Sequence, residues 1–208
     1  MKVKGKHYQT IWVDETDRSV ICVIDQRKLP FVFEIVKLRK IEDFYFAIKD
    51  MVVRGAPLIG VTGAFAIYNS VVALRKEKDL QQKLHNIVEY ILSSRPTAIN
   101  LKTGVDYVIE KIDFSLSIEE TIETVYNRAV EFKNIELLNS EKIGEYGYSI
   151  IEQIYRQKNN KQVNVLTHCN AGWLACIDYG TATAPIYKAF DKGIDLHVYV
   201  DETRPRNQ

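Results

Sequence analysis

Apolar positions fall into three regimes along the 208 residues. The first is short-run and rich in β-branched and aromatic side chains. "QTIWVD" (9–14), "SVICVIDQ" (19–26) and "LPFVFEIVKL" (29–38) read as strands, with "DETDR" a polar turn between the first two. The second regime is helical. "KIEDFYFAIKDMV" (40–52) sets Ile41, Phe44, Tyr45 and Ile48 at helical spacing. A strongly apolar helix is expected from Pro57, a residue suited to a first turn. Gly60 and Gly63 weaken that helix by propensity, so another backbone is expected to pack closely on their face. "DLQQKLHNIVEYILSS" (79–94) is amphipathic through Leu80, Leu84, Ile87, Val88 and Ile91, and should stop near Arg95-Pro96. "TAINLKTGVDYVIEKI" (97–112) predicts a further helix. The stretch 117–157 predicts about two more, the first opened by a capping box of Ser117 and Glu120.

The third regime follows the polar connector "KNNKQ" (158–162). "VNVLTH" (163–168) is a buried-strand run, "TATAPIYKAFDKG" (181–193) a helix closed by a glycine, and "DLHVYVDETRPRN" (195–207) a second strand. Strand, crossover helix, strand opens a parallel α/β sheet. The expectation is therefore an α/β protein. A mainly helical N-terminal domain with a small β segment covers 1–160, and the βαβ start of a Rossmann-like domain covers 161–208. Two parallel strands alone leave faces and edges uncovered, so this second fold is expected to be unfinished at Gln208.

Composition narrows the class. With 46% hydrophobic and 26% charged residues the chain resembles a folded soluble protein. Its 28 basic and 27 acidic residues leave a formal charge of +1, so no broad basic face for nucleic acid is expected. Three cysteines, Cys22, Cys169 and Cys176, suggest no disulfide framework and point to a reducing cytoplasm. The basic N-terminus lacks the apolar run of a signal peptide, and no stretch is expected to reach the roughly 18 apolar residues of a membrane span.

Chemistry concentrates at element ends. Ligands of open α/β sheets gather at the carboxyl ends of strands, where His168-Cys169 and Glu202-Thr203-Arg204 fall. Asn170, Ala171 and Gly172 permit a tight turn with N–H groups free for an anion. Cys169 is thus a candidate nucleophile or acid/base thiol, with a buried structural thiol as the alternative. Cys22 and Cys176 have no such setting and read as core. A zinc site from His168, Cys169, Cys176 and His197 is poorly supported, because neighbouring strand residues point to opposite faces and no ligand spacing occurs. His7 and His85 read as surface or helix-face residues. In "RGAP" (54–57) an arginine and a glycine precede a helix N-terminus, a suitable anion site. Arg95, Arg204 and Arg206 add cations at other element ends, which favours a small phosphate ligand over a polyanion.

"VVRGAPLIGVTGAFA", "SSRPTAINL", "LTHCNAGWLA…DYGTATAPI" and "HVYVDETRPRNQ", in this order, resemble the methylthioribose-1-phosphate isomerases of methionine salvage. Their wider family includes ribose-1,5-bisphosphate isomerases and the regulatory subunits of the exchange factor of translation initiation. The resemblance implies conversion of 5-methylthioribose 1-phosphate to 5-methylthioribulose 1-phosphate, with no redox cofactor and no metal, by a cytoplasmic homodimer. It implies a proton-transfer role for Cys169, phosphate and substrate binding by Arg54, Gly55, Ala56 and Arg95, and a substrate contact from Gln208. The aspartate that partners the cysteine lies past Gln208 in this family, so the chain by itself is expected to be inactive. Ribose 1,5-bisphosphate or 5-deoxyribose 1-phosphate as substrate, or a non-catalytic regulatory subunit, are the alternatives. The apolar stretch around Trp12 leans towards a methylthio group.

Overall fold

The computed structural model describes residues 1–201, which form two compact units: Thr10–Asn134, and Met1–Gln9 together with the chain from Ile135 onward. The architecture is α/β, as the hydrophobic pattern predicts.

In the unit Thr10–Asn134 the core begins with an antiparallel sheet. Numbering from the N-terminus, with β1 (Lys2–Val3) and β2 (Lys6–His7) in the other unit, its strands are β3 (Ile11–Val13), β4 (Ile21–Ile24) and β5 (Ile35–Leu38). β4 is central and buried at all four positions, which its unbroken apolar run requires. The register pairs Trp12 with Cys22 and Cys22 with Lys37. The expected third strand over 29–38 is shorter than predicted. Pro30 has no N–H to give to a ladder, and turns occupy the residues before it.

Helix α1 (Ile41–Lys49) turns Phe44, Ala47 and Ile48 inward. Helix α2 (Ala56–Ala73) is the core of this unit, buried at every residue from Leu58 to Val71. Contrary to the sequence expectation, α2 is long and apolar enough to cross a membrane by length and composition; 78% of that stretch is buried inside the protein. Three polar side chains on this helix are buried: Thr62 and Ser70 donate to carbonyls of their own helix, and Asn69 donates from Nδ2 to the carbonyls of Ser19 and Arg39, both at 2.9 Å.

Helices α3 (Leu80–Ser93) and α4 (Ile99–Ile109) complete the layer. The close backbone approach expected at Gly60 and Gly63 is made by α4. A Cβ on Gly60 would stand 2.7 Å from the Asn100 carbonyl oxygen, and one on Gly104 would stand 2.0 Å from that of Gly60. Two glycines therefore let the helices touch backbone to backbone.

Helix α5 (Ile118–Gln157) corrects the expectation of two helices: it is continuous over 40 residues. Its start is the predicted capping box. Ser117 N donates to Glu120 Oε2 at 3.0 Å, and Glu120 N donates to Ser117 Oγ at 3.3 Å. Gly144 and Gly147, which resemble a break, instead admit neighbours. A Cβ on Gly147 would lie 2.3 Å from Pro185 Cγ, and one on Gly144 3.3 Å from the Ala184 Cβ.

The second unit holds a small hairpin of β1 (Lys2–Val3) and β2 (Lys6–His7), which the sequence pattern did not predict. It also holds the expected parallel pair β6 (Val163–Thr167) and β7 (Leu196–Val200), linked through α6 (Ala184–Asp191). Ile151 of α5 joins Val163, Ala189 and Ile194 in one cluster. By compactness the chain divides inside α5, between Asn134 and Ile135, and the C-terminal part of α5 packs one face, that of Ile151, against the βαβ unit. Gly193, with φ 80°, ends α6 in the left-handed conformation predicted for it.

Candidate active site

The parallel pair sets the first group of residues. β6 alternates, with Val163 and Thr167 buried and Asn164 and Leu166 exposed, so its carboxyl end delivers Thr167 inward and the next residues to the rim. His168 Nδ1 lies 2.8 Å from Asp201 Oδ2, joining the ends of β6 and β7, and both side chains are exposed (79% and 50%). Cys169 follows with φ 68°, in the left-handed region, and is exposed. For a residue with a Cβ this conformation costs about 1–2 kcal/mol and marks a site to be explained.

The loop after Cys169 is tightly tied. Ala171 N donates to the Cys169 carbonyl at 3.1 Å, and the Ala171 carbonyl accepts from Thr181 N at 2.9 Å and Thr183 Oγ1 at 3.0 Å. Gly180 sits at φ 90°, where a Cβ would stand 2.6 Å from that same Ala171 oxygen. Asp178, 5% exposed, accepts from Tyr179 N at 2.9 Å and lies 2.6 Å from His7 Nε2. The Met1 nitrogen is 2.5 Å from the other side of this carboxylate. His7 is thus a surface residue with a definite task, holding the β1–β2 hairpin to the loop. No local pattern signals this, because the pairing spans 171 positions.

The remaining cysteines behave as core. Burial pushes the Cys176 thiol up to about 11, with a hydrogen bond to Ser140 acting against that rise and the nearby Glu136 charge adding to it. Burial likewise raises Cys22 to about 11, helped by Asp14, whose Oδ2 lies 3.6 Å from the sulfur. His197 packs on the Tyr199 ring at 4.5 Å between centroids.

The second group belongs to the unit Thr10–Asn134. Gly55 caps α2 at φ 123°, a conformation that favours glycine, and Ala56-Pro57 open the helix. Arg54 stands immediately before them and is half-buried. Arg95 lies in the turn between α3 and α4, also half-buried, and among the described residues its guanidinium has no carboxylate partner. Gly60, about one turn into α2, packs on Asn100 at the start of α4, which brings the α2 N-terminus and the Arg95 turn to one region of this unit. A helix N-terminus with two arginines is suited to a phosphate. A groove of about 810 Å³ elsewhere in this unit, lined by Arg75, Asp79, His85 and Phe114 among others, includes none of the expected site residues. Gln208 lies outside the described residues, as do Glu202–Arg204 and Arg206.

Residues 52–208 match the initiation factor 2 subunit family. The chain belongs to this family. Within the family it is 50% identical over 208 residues, all of the chain, to a methylthioribose-1-phosphate isomerase of Desulfatibacillum aliphaticivorans. It is 46% identical over 210 residues to one from Escherichia coli O45:K1. It covers 56% and 55% of these two proteins, so the chain spans little more than half the length of such relatives. Among solved structures, 5-methylthioribose 1-phosphate isomerase from Pyrococcus horikoshii superposes with a TM-score of 0.83 at 26% identity, over 96% of this chain and 54% of that one. The delta subunit of translation initiation factor eIF-2B from A. fulgidus superposes with a TM-score of 0.76 at 31% identity, over 97% of this chain and 56% of that one. Both of these solved structures thus share the fold described above over nearly the whole of this chain.

Proposed function

We propose that this protein isomerises 5-methylthioribose 1-phosphate to 5-methylthioribulose 1-phosphate. The observation that carries the reading is identity of 50% across the whole chain to a protein of that name. The geometry supports it. The change is redox-neutral, because C2 is oxidised as C1 is reduced within one molecule, and it needs a group that moves protons. Cys169 is solvent-accessible, at a strand carboxyl end, in a loop tied at Ala171. Arg54, Gly55, Ala56 and Arg95 are assigned to the substrate phosphate, and Gln208 to a further substrate contact. The apolar sequence around Trp12, Ile11 to Val13, leans towards a methylthio group over a second phosphate. The non-catalytic alternative has less support, since a regulatory subunit has no need of an accessible thiol in this turn.

A cytoplasmic homodimer completes the reading. Ile143, Tyr146, Ile150 and Ile154 leave an exposed apolar stripe along α5 at helical spacing, suited to a second copy. The test is turnover by the complete natural protein. The wild type is expected to convert methylthioribose 1-phosphate in preference to ribose 1,5-bisphosphate. Cys169→Ser is expected to lose at least about 100-fold in kcat. A serine form at full rate removes the thiol from the mechanism, and a faster reaction on the bisphosphate overturns the substrate.

A further inference from the structure

Two enclosed polar atoms flank the accessible thiol without partners. Thr167 is 7% exposed, and its Oγ1 bonds to nothing among the described residues. The Nδ2 of Asn170 is in the same condition. Among the described residues a third such side-chain atom occurs, Asn69 Oδ1, so two of the three fall in the four-residue stretch from Thr167 to Asn170. Buried polar groups in native proteins are nearly always satisfied, so a concentration of orphans needs a cause. Here it coincides with the carboxyl end of a parallel strand and with a left-handed non-glycine residue between the two.

We infer that Thr167 and Asn170 are substrate-binding residues, supplying the hydrogen bonds that hold the sugar oxygens beside Cys169. The inference rests on the isomerase reading and adds two residues to it. The chemistry selects the target. Both groups are neutral, and the Asn170 amide nitrogen can only donate, so they suit a sugar hydroxyl or the developing carbonyl oxygen at C2. A phosphate dianion is better served by the arginines. Because both atoms are enclosed, binding includes a movement of the His168–Asn170 turn.

Thr167→Val tests this in the complete natural protein, since it keeps shape and removes the hydroxyl. If the orphan is only structural, the variant gains thermal stability and keeps its kinetics, because an unsatisfied buried group has been deleted. The expected result is different: an unchanged or higher Tm with kcat/KM down about tenfold or more, and a smaller rise in Tm on adding methylthioribose 1-phosphate. Thr167→Ser, which retains the hydroxyl, should restore most of kcat/KM. Asn170→Ala should lose at least as much as Thr167→Val. Wild-type kinetics in Thr167→Val, with an active wild type, overturn this inference alone. A wild type that neither turns over nor is stabilised by methylthioribose 1-phosphate overturns the isomerase reading, and this inference with it.

Discussion

Cys169 differs from the other two cysteines in accessibility, and that difference is measurable without substrate. Cys22 and Cys176 are buried with thiols raised to about 11, so each stays protonated and shielded at neutral pH. Brief alkylation of the folded protein at neutral pH should therefore modify Cys169 first, with Cys22 and Cys176 reacting only after denaturation. Peptide mass spectrometry decides this, and early labelling of Cys176 would contradict the burial. The position of Cys169 at a strand end was legible in its sequence. Its backbone conformation was not, because φ 68° is imposed by the bonds Ala171 makes back to Cys169 and across to Thr181 and Thr183. The setting of Asp178 is likewise not legible in the sequence, since what marks it is the contact with His7 from the far end of the chain.

At the scale of elements, glycine spacing proved informative. Gly60 and Gly63 suggested a close helix neighbour, and Gly104 of α4 is the reciprocal residue. Gly104→Ala should cost about 3 kcal/mol, because its Cβ would collide with backbone that cannot rotate away. Gly172→Ala, with open space around it and φ −78°, should change stability by less than about 0.5 kcal/mol. Equal losses of Tm in the two variants would refute the backbone contact. The capping box makes a second prediction. Ser117→Ala should cost about 1 kcal/mol at neutral pH. The Ser117 hydroxyl and N–H lower the Glu120 carboxyl below its ordinary value. The stabilisation is thus present above the ordinary glutamate pKa of about 4.3 and fades as pH falls through the lowered folded value. Urea titrations at neutral and acid pH should show the difference between the two proteins narrowing in acid. A constant difference would mean that Glu120 takes no part in the cap. The two helices expected in the same region are one, and its Gly144 and Gly147 are where Ala184 and Pro185 sit against the helix.

On the scale of the whole molecule, exposed apolar surface on α5 calls for a partner. The stripe Ile143, Tyr146, Ile150 and Ile154 is expected to close a homodimer, and sedimentation equilibrium of the complete natural protein should give twice the monomer mass. Tyr146→Lys should shift that equilibrium towards monomer, whereas an unchanged dimer would place the interface elsewhere. The same surface bears on domain division, since one helix serves two compact units and no change in composition along α5 marks the boundary. By itself the sequence determined the α/β class, the capping box, the strand–helix–strand order from Val163 onward and the placing of Cys169 after a strand, because these depend on periodicity and on neighbours a few residues apart. Only the tertiary structure decided the continuity of α5, the division inside it, the hold of His7 on Asp178, and the orphaned state of Thr167 and Asn170. Each depends on what stands opposite a residue across the fold, and spacing along the chain carries no record of that.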